Sequence, residues 1–81
     1  MIKLSFEFDY SSYIRNIKES DLILDEIEDT WIYRFYNSMY DFEVSGDVED
    51  GTITDNNLKV LVSLNGDKIG EGYFASIEFI N

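Results

Sequence analysis

The amino-acid sequence predicts an α+β fold: a small antiparallel sheet of about four strands with one long helix packed on one face. Three observations carry that expectation. The N-terminus alternates apolar and polar residues, the stretch from Ser20 to about Tyr40 contains neither Gly nor Pro, and Asn65-Gly66 sits between two apolar runs.

Taken in chain order, Ile2, Leu4, Phe6, Phe8 and Tyr10 alternate with Lys3, Ser5, Glu7 and Asp9. That period of two is the mark of a half-buried strand over Ile2–Tyr10. Ser11-Ser12 breaks the alternation and is suited to cap a short helix from Tyr13 to Lys18. From Ser20 onward the spacing becomes helical. Ile23, Leu24, Ile27, Trp31, Phe35 and Phe42 fall within an arc of roughly 120° at 100° per residue. Asp21, Asp25, Glu28 and Asp29 gather on the opposite side, where acids in the first turns suit the positive end of a helix. Ile32, Tyr33, Tyr36 and Tyr40 continue along that outer side.

A second reading of this stretch stays open. Thr30-Trp31-Ile32-Tyr33-Arg34-Phe35-Tyr36 is a run of strong strand formers. With Asn37-Ser38 as a turn and Tyr40, Phe42 and Val44 alternating beyond it, a helix over Ser20–Asp29 would be followed by a hairpin. Of the two, the longer helix is the preferred expectation.

In the C-terminal third, Asn65-Gly66 marks a two-residue hairpin, since both positions tolerate positive φ. Strands are expected at Phe42–Glu49, Thr52–Leu64 and Lys68–Ile80. Centring the turn on Asn65-Gly66 pairs Leu64 with Asp67, Val62 with Ile69, Leu58 with Tyr73 and Thr52 with Phe79. Ile53 then points away from the face carrying Tyr73, Ala75, Ile77 and Phe79. A one-residue bulge near Asn56-Asn57 or Gly70–Gly72 repairs that conflict.

Composition bounds the function. The 81 residues read as one domain, 1–81, and 44% hydrophobic with 16% aromatic residues is enough for one core and unlike a disordered tail. Cysteine is absent, so neither disulfides nor thiolate metal sites support the fold, and a reducing cytoplasm is the expected location. No run approaches the roughly 20 apolar residues of a membrane span, and no signal-peptide pattern opens the chain.

Charge is the dominant feature. The chain has 17 acidic and 6 basic residues, a net charge of −11. Twelve of the acids lie between Glu19 and Asp55, where Arg34 is the lone base, so that segment holds the whole excess and the remainder balances. Such a field steers a protein toward basic surfaces and opposes contact with nucleic acid or anionic membranes. The aromatic residues do not alter this, because a base-stacking platform needs a basic groove beside it.

Catalytic chemistry has little to draw on. With no histidine and no cysteine, the usual base near neutral pH and the strongest nucleophile are both missing. Paired carboxylates serve glycosidases, but acids spread this densely single out no pair. The segment Asp41-x-Glu43-x-Ser45-Gly46-x-Val48 has acids and a glycine at calcium-loop positions. Its twelfth position is Thr52 instead of a bidentate Glu, and the following Thr52-Ile53-Thr54 reads as strand. Solvated acids around a turn or bulge are the better account, and neither cofactor nor metal is expected.

The candidate binding face therefore comprises Asp21, Asp25, Glu28, Asp29, Tyr33, Tyr36 and Tyr40 on the outer side of the helix, joined by Glu43, Asp47, Glu49 and Asp50. Carboxylates at i, i+4 and i+8 would stand about 6 Å apart along the axis, near the spacing of alternate phosphates on one strand. Tyrosine adds buried area with a hydroxyl at interfaces, although peripheral core is an equal reading of these three. In size, charge and lack of catalytic residues the chain resembles phage-encoded antagonists of restriction or CRISPR systems, a likeness of composition that covers no motif. That resemblance implies a non-enzymatic inhibitor that acts as a nucleic-acid mimic on the basic, nucleic-acid-binding surface of a partner protein. The alternatives are an immunity protein neutralising a basic nuclease toxin, or a structural, oligomerising subunit.

Overall fold

The computed structural model describes residues 1–71 and 75–80. Its elements are strands, apart from a single 3-10 turn at Glu19–Asp21. In chain order they are β1 (Ile2–Phe8), β2 (Ser11–Ile17), β3 (Ile23–Asp25), β4 (Thr30–Tyr36), β5 (Asp41–Glu49), β6 (Thr52–Ile53), β7 (Lys59–Leu64), β8 (Asp67–Glu71) and β9 (Ala75–Phe79). They build two antiparallel sheets, one in the order β2-β1-β9 and one in the order β3-β4-β5-β7-β8 with β6 beside β5.

The expected α+β architecture is thus replaced by an all-β one, and the long helix over Ser20–Tyr40 is absent. Where it was expected, the chain makes the end of the 3-10 turn, β3, a turn, β4 and a second turn that leads into β5. Local physics explains the change. The Asp25 carboxylate accepts from the backbone N–H groups of Ile27 and Glu28 (3.0 and 3.1 Å), which closes a turn instead of a helix. Asp29 completes that turn at φ 52°, a conformation no helix contains. Beyond it, the β-branched and aromatic run Thr30–Tyr36 pairs with β5 from Thr30↔Asp47 to Tyr36↔Asp41. The Asn37 carboxamide then accepts from Met39 and Tyr40 N–H at 2.8 and 2.7 Å, closing the hairpin that the second reading anticipated.

The short helix expected at Tyr13–Lys18 is also a strand. Asp9 and Tyr10 both take positive φ, 52° and 61°, and form the two-residue turn of a β1–β2 hairpin with Phe8 opposite Ser11 and Ile2 opposite Ile17. At the C-terminal end the Asn65-Gly66 turn is present, with Leu64 opposite Asp67. The register shifts at Ile69, so Val62 faces Gly70 instead of the expected Ile69. Thr52–Leu64 is two strands, not one, because residues 54–58 cross between β6 and β7. Thr52 accordingly pairs with Glu49, while Phe79 pairs with Ile2 in the other sheet. The expected Leu58–Tyr73 pair lies outside the described residues.

The two sheets face each other through one hydrophobic cluster. From β1 it takes Ile2, Leu4, Phe6 and Phe8, the inward half of the alternation. Opposite stand Trp31, Phe42, Val44, Val60 and Val62, each nearly or wholly inaccessible. The Phe6 ring packs against Phe35 and Phe42 at 5.6 and 5.4 Å, and Phe8 meets Tyr40 edge-on at 4.9 Å. Trp31 fits because its cross-strand partner is Gly46, where any Cβ would come within 2.7 Å of the indole nitrogen. That nitrogen donates to the Thr54 carbonyl at 2.8 Å and so holds the crossing segment against the sandwich.

Candidate acidic interface

Strand direction decides where the charge goes. β4 leaves the turn at residues 26–29 and β5 returns antiparallel to it, so the β3–β4 turn and the β5–β6 turn share one end of the sandwich. The crossing of residues 54–57 belongs to the same end, since Asp47 N–H donates to the Asn56 carbonyl and Thr54 N–H to the Asp47 carbonyl, both at 3.0 Å. The link from β2 to β3 passes there too: Glu19, Gly51, Thr52, Phe79 and Ile80 line one cavity. As a result, all of the acids between Glu19 and Asp55 except Asp41 and Glu43 collect at this pole. Positive groups at this end include Lys18, Lys59 at the start of β7 and the N-terminal amine, and the amine donates to the Ile80 carbonyl at 3.0 Å.

Asp21 sits in the 3-10 turn, with its carboxylate accepting from Lys18 N–H at 2.8 Å. Asp25 caps the next turn, and Glu28 and Asp29 stand exposed within it. Asp50 occupies the β5–β6 turn at φ 51°. Asp47 and Glu49 extend from the outer face of β5, where the Asn57 and Asn56 side chains donate to them at 2.6 and 2.8 Å. Glu43, farther along the same face, pairs with the Arg34 guanidinium at 3.2 Å.

The tyrosines do not converge as a helix would have required. Tyr33 lies opposite Val44 and packs on the core, as does Tyr40 against Phe8 and Phe42. Both are peripheral core. Only Tyr36 points outward, and it is 77% exposed. The helical i, i+4, i+8 row of carboxylates disappears with the helix.

On the outer face of the larger sheet, sequence reasoning named Tyr36, Glu43, Asp47 and Glu49 but missed the groove that Tyr36 and Glu43 share with Leu61 and Ser63. Arg34, Tyr36, Asp41, Glu43, Leu61, Ser63 and Gly66 line a shallow groove of about 340 Å³ there. Leu61 alternates between Val60 and Val62, both fully buried, and that alternation was a signal for an outward apolar side chain. The calcium-like segment turns out to be continuous strand: Asp41, Glu43 and Ser45 face outward and Gly46 serves Trp31 packing. Among the described residues no group of three or more carboxylates is arranged to hold a metal ion, and no helix is long and apolar enough to cross a membrane. Comparison with protein-family models, curated proteins and solved structures finds no match for the chain.

Proposed function

We propose that the chain is a non-enzymatic acidic binding protein that occupies the basic, nucleic-acid-binding surface of a partner protein. The observation that carries this reading is the outward row Asp41, Glu43, Asp47 and Glu49 on β5, which runs into the acidic pole. Outward residues two apart on a strand stand about 6.8 Å from one another, again near twice the phosphate step along one nucleic-acid strand. That spacing holds within the pairs Asp41–Glu43 and Asp47–Glu49, which Ser45 separates. Glu43 is tempered by Arg34, and Lys59 stands opposite Ser45 between the two pairs, while Asp47 and Glu49 lead into the pole.

The test is competition. A partner captured from lysate at low salt and released by high salt is loaded with nucleic acid, and this protein is titrated in. Mimicry raises the apparent Kd for nucleic acid without lowering maximal binding. A ternary complex with unchanged nucleic-acid affinity overturns it. Electrostatic steering also requires the association rate to fall about tenfold or more between low and moderate salt, since screening sets in over ~8 Å at physiological ionic strength.

A further inference from the structure

We infer that β2 is a self-association edge, on which a second copy of this chain pairs antiparallel about Ile14 and joins two three-stranded sheets into one of six. This goes beyond the acidic-interface reading and does not depend on it. An unpaired edge strand is a template for another strand, and proteins blunt such edges by shortness, bulges or charge. The other edges among the described residues are blunted: β3 has three residues and carries Asp25, β6 has two residues, β8 is irregular at Ile69 and opens on Asp67, and β9 carries Glu78. β2 is a regular seven-residue strand with no acid, in a chain of net charge −11, and its one charge, Arg15, is turned inward over the Phe35 ring instead of out along the edge.

The backbone is set for pairing. In a two-residue hairpin Phe8 and Ser11 exchange hydrogen bonds, so by alternation Ser12, Ile14 and Asn16 turn their N–H and C=O groups away from β1. The Arg15 guanidinium reaches the Ile14 carbonyl at 3.4 Å, a long contact that an incoming N–H replaces while Arg15 stays over the Phe35 ring at 4.5 Å. Ile14 is 53% exposed on a face otherwise made by Lys3, Ser5, Glu7, Ser12, Asn16, Ser76 and Glu78. Antiparallel pairing centred on it sets Ile14 against its own copy and Ser12 against Asn16 of the other.

Charge selects the direction. β2 runs from the Asp9-Tyr10 turn toward the acidic pole, and a strand of this length spans about 20 Å. Antiparallel copies keep their acidic poles at opposite ends, more than two screening lengths of ~8 Å apart, whereas parallel copies would bring them together. An edge alone buries less than the roughly 1,600 Å² of a standard interface, so the dimer is weak and salt strengthens it.

Sedimentation equilibrium from about 10 μM to 1 mM, at low salt and in about 0.5 M NaCl, should show a dimer that grows with salt, opposite in sign to the salt dependence of partner binding. Ile14→Lys should lower the association constant at least tenfold, although it makes the chain less negative. Glu78→Gln, an equal change in charge on the other edge of this sheet, should not. The absence of native cysteine allows a second readout independent of Ile14→Lys. A mixture of Ser12→Cys and Asn16→Cys proteins should form the mixed disulfide, since facing residues of this kind lie about 5.5 Å apart. A wild-type monomer throughout, Ile14→Lys dimerising like wild type, or Ser12→Cys crosslinking efficiently with itself would each overturn the inference.

Discussion

Trp31 and Gly46 show how much of the sandwich depends on one pair. The indole is fully inaccessible and holds Thr54 through its N–H, and the space it needs is the space a side chain at position 46 would take. Gly46→Ala should therefore destabilise the fold by about 1–3 kcal/mol, the usual cost of forcing an extra methyl into a packed core. Urea unfolding followed by Trp31 fluorescence measures it. Combining the change with Trp31→Phe should cost less than the sum of the two single variants, because the smaller ring vacates the contested volume. Strict additivity would show that the two residues do not compete. A second residue-scale expectation concerns Tyr10, a bulky side chain held at φ 61° and fully exposed at the tip of the first hairpin. Tyr10→Gly should raise stability by about 0.5 kcal/mol, as relief of left-handed strain outweighs the added chain entropy. An unchanged or lower urea midpoint would show that the turn carries no such strain.

At the scale of elements, legibility followed from how local each signal was. β1 was plain because its buried face, Ile2 to Phe8, coincides with its alternation, and the Asn65-Gly66 turn was plain because its chemistry sits in two adjacent residues. The segment from Ser20 to Tyr40 misled because Ile23, Leu24, Ile27 and Trp31 happen to recur at helical spacing. In the fold only Trp31 of these is buried, while Ile23, Leu24 and Ile27 are 50, 56 and 93% exposed. Strand propensity in Thr30–Tyr36 and the Asp25 turn outweighed a stripe that had no core to face. The register of β8 was legible only as far as Lys68, since a bulge at Ile69 depends on what β7 presents across the sheet. The candidate site divided in the same way. Its acids were visible as a segment and, Glu43 apart, remain together, because successive turns return the chain to one pole. Its tyrosines were placed by a helix that does not form, and strand alternation sends Tyr33 inward and Tyr36 outward.

For the whole molecule, concentrating the acids at one pole has an energetic consequence that can be measured without any partner. Two like charges 10 Å apart in water repel by about 0.4 kcal/mol, and the pole contains many such pairs. Their sum is a significant fraction of the stability of a small domain, and salt removes most of it. The melting temperature should therefore rise by about 5 °C or more between 10 mM and 0.5 M NaCl, given that 1 kcal/mol shifts a domain of this size by roughly 4–8 °C. Location separates this effect from net charge. Glu26 and Glu28 stand exposed in the β3–β4 turn among other acids, whereas Glu78 lies opposite Lys3 and Glu7 sits near the far end of β1. Replacing Glu26 and Glu28 with Gln should raise the low-salt melting temperature and flatten its dependence on salt. The same replacement at Glu7 and Glu78 changes the net charge equally but takes Glu78 from opposite Lys3 and leaves the turn acids in place, so the melting temperature should stay level or fall. If both pairs raise it alike, the repulsion is spread over the molecule and the acidic pole is not its source.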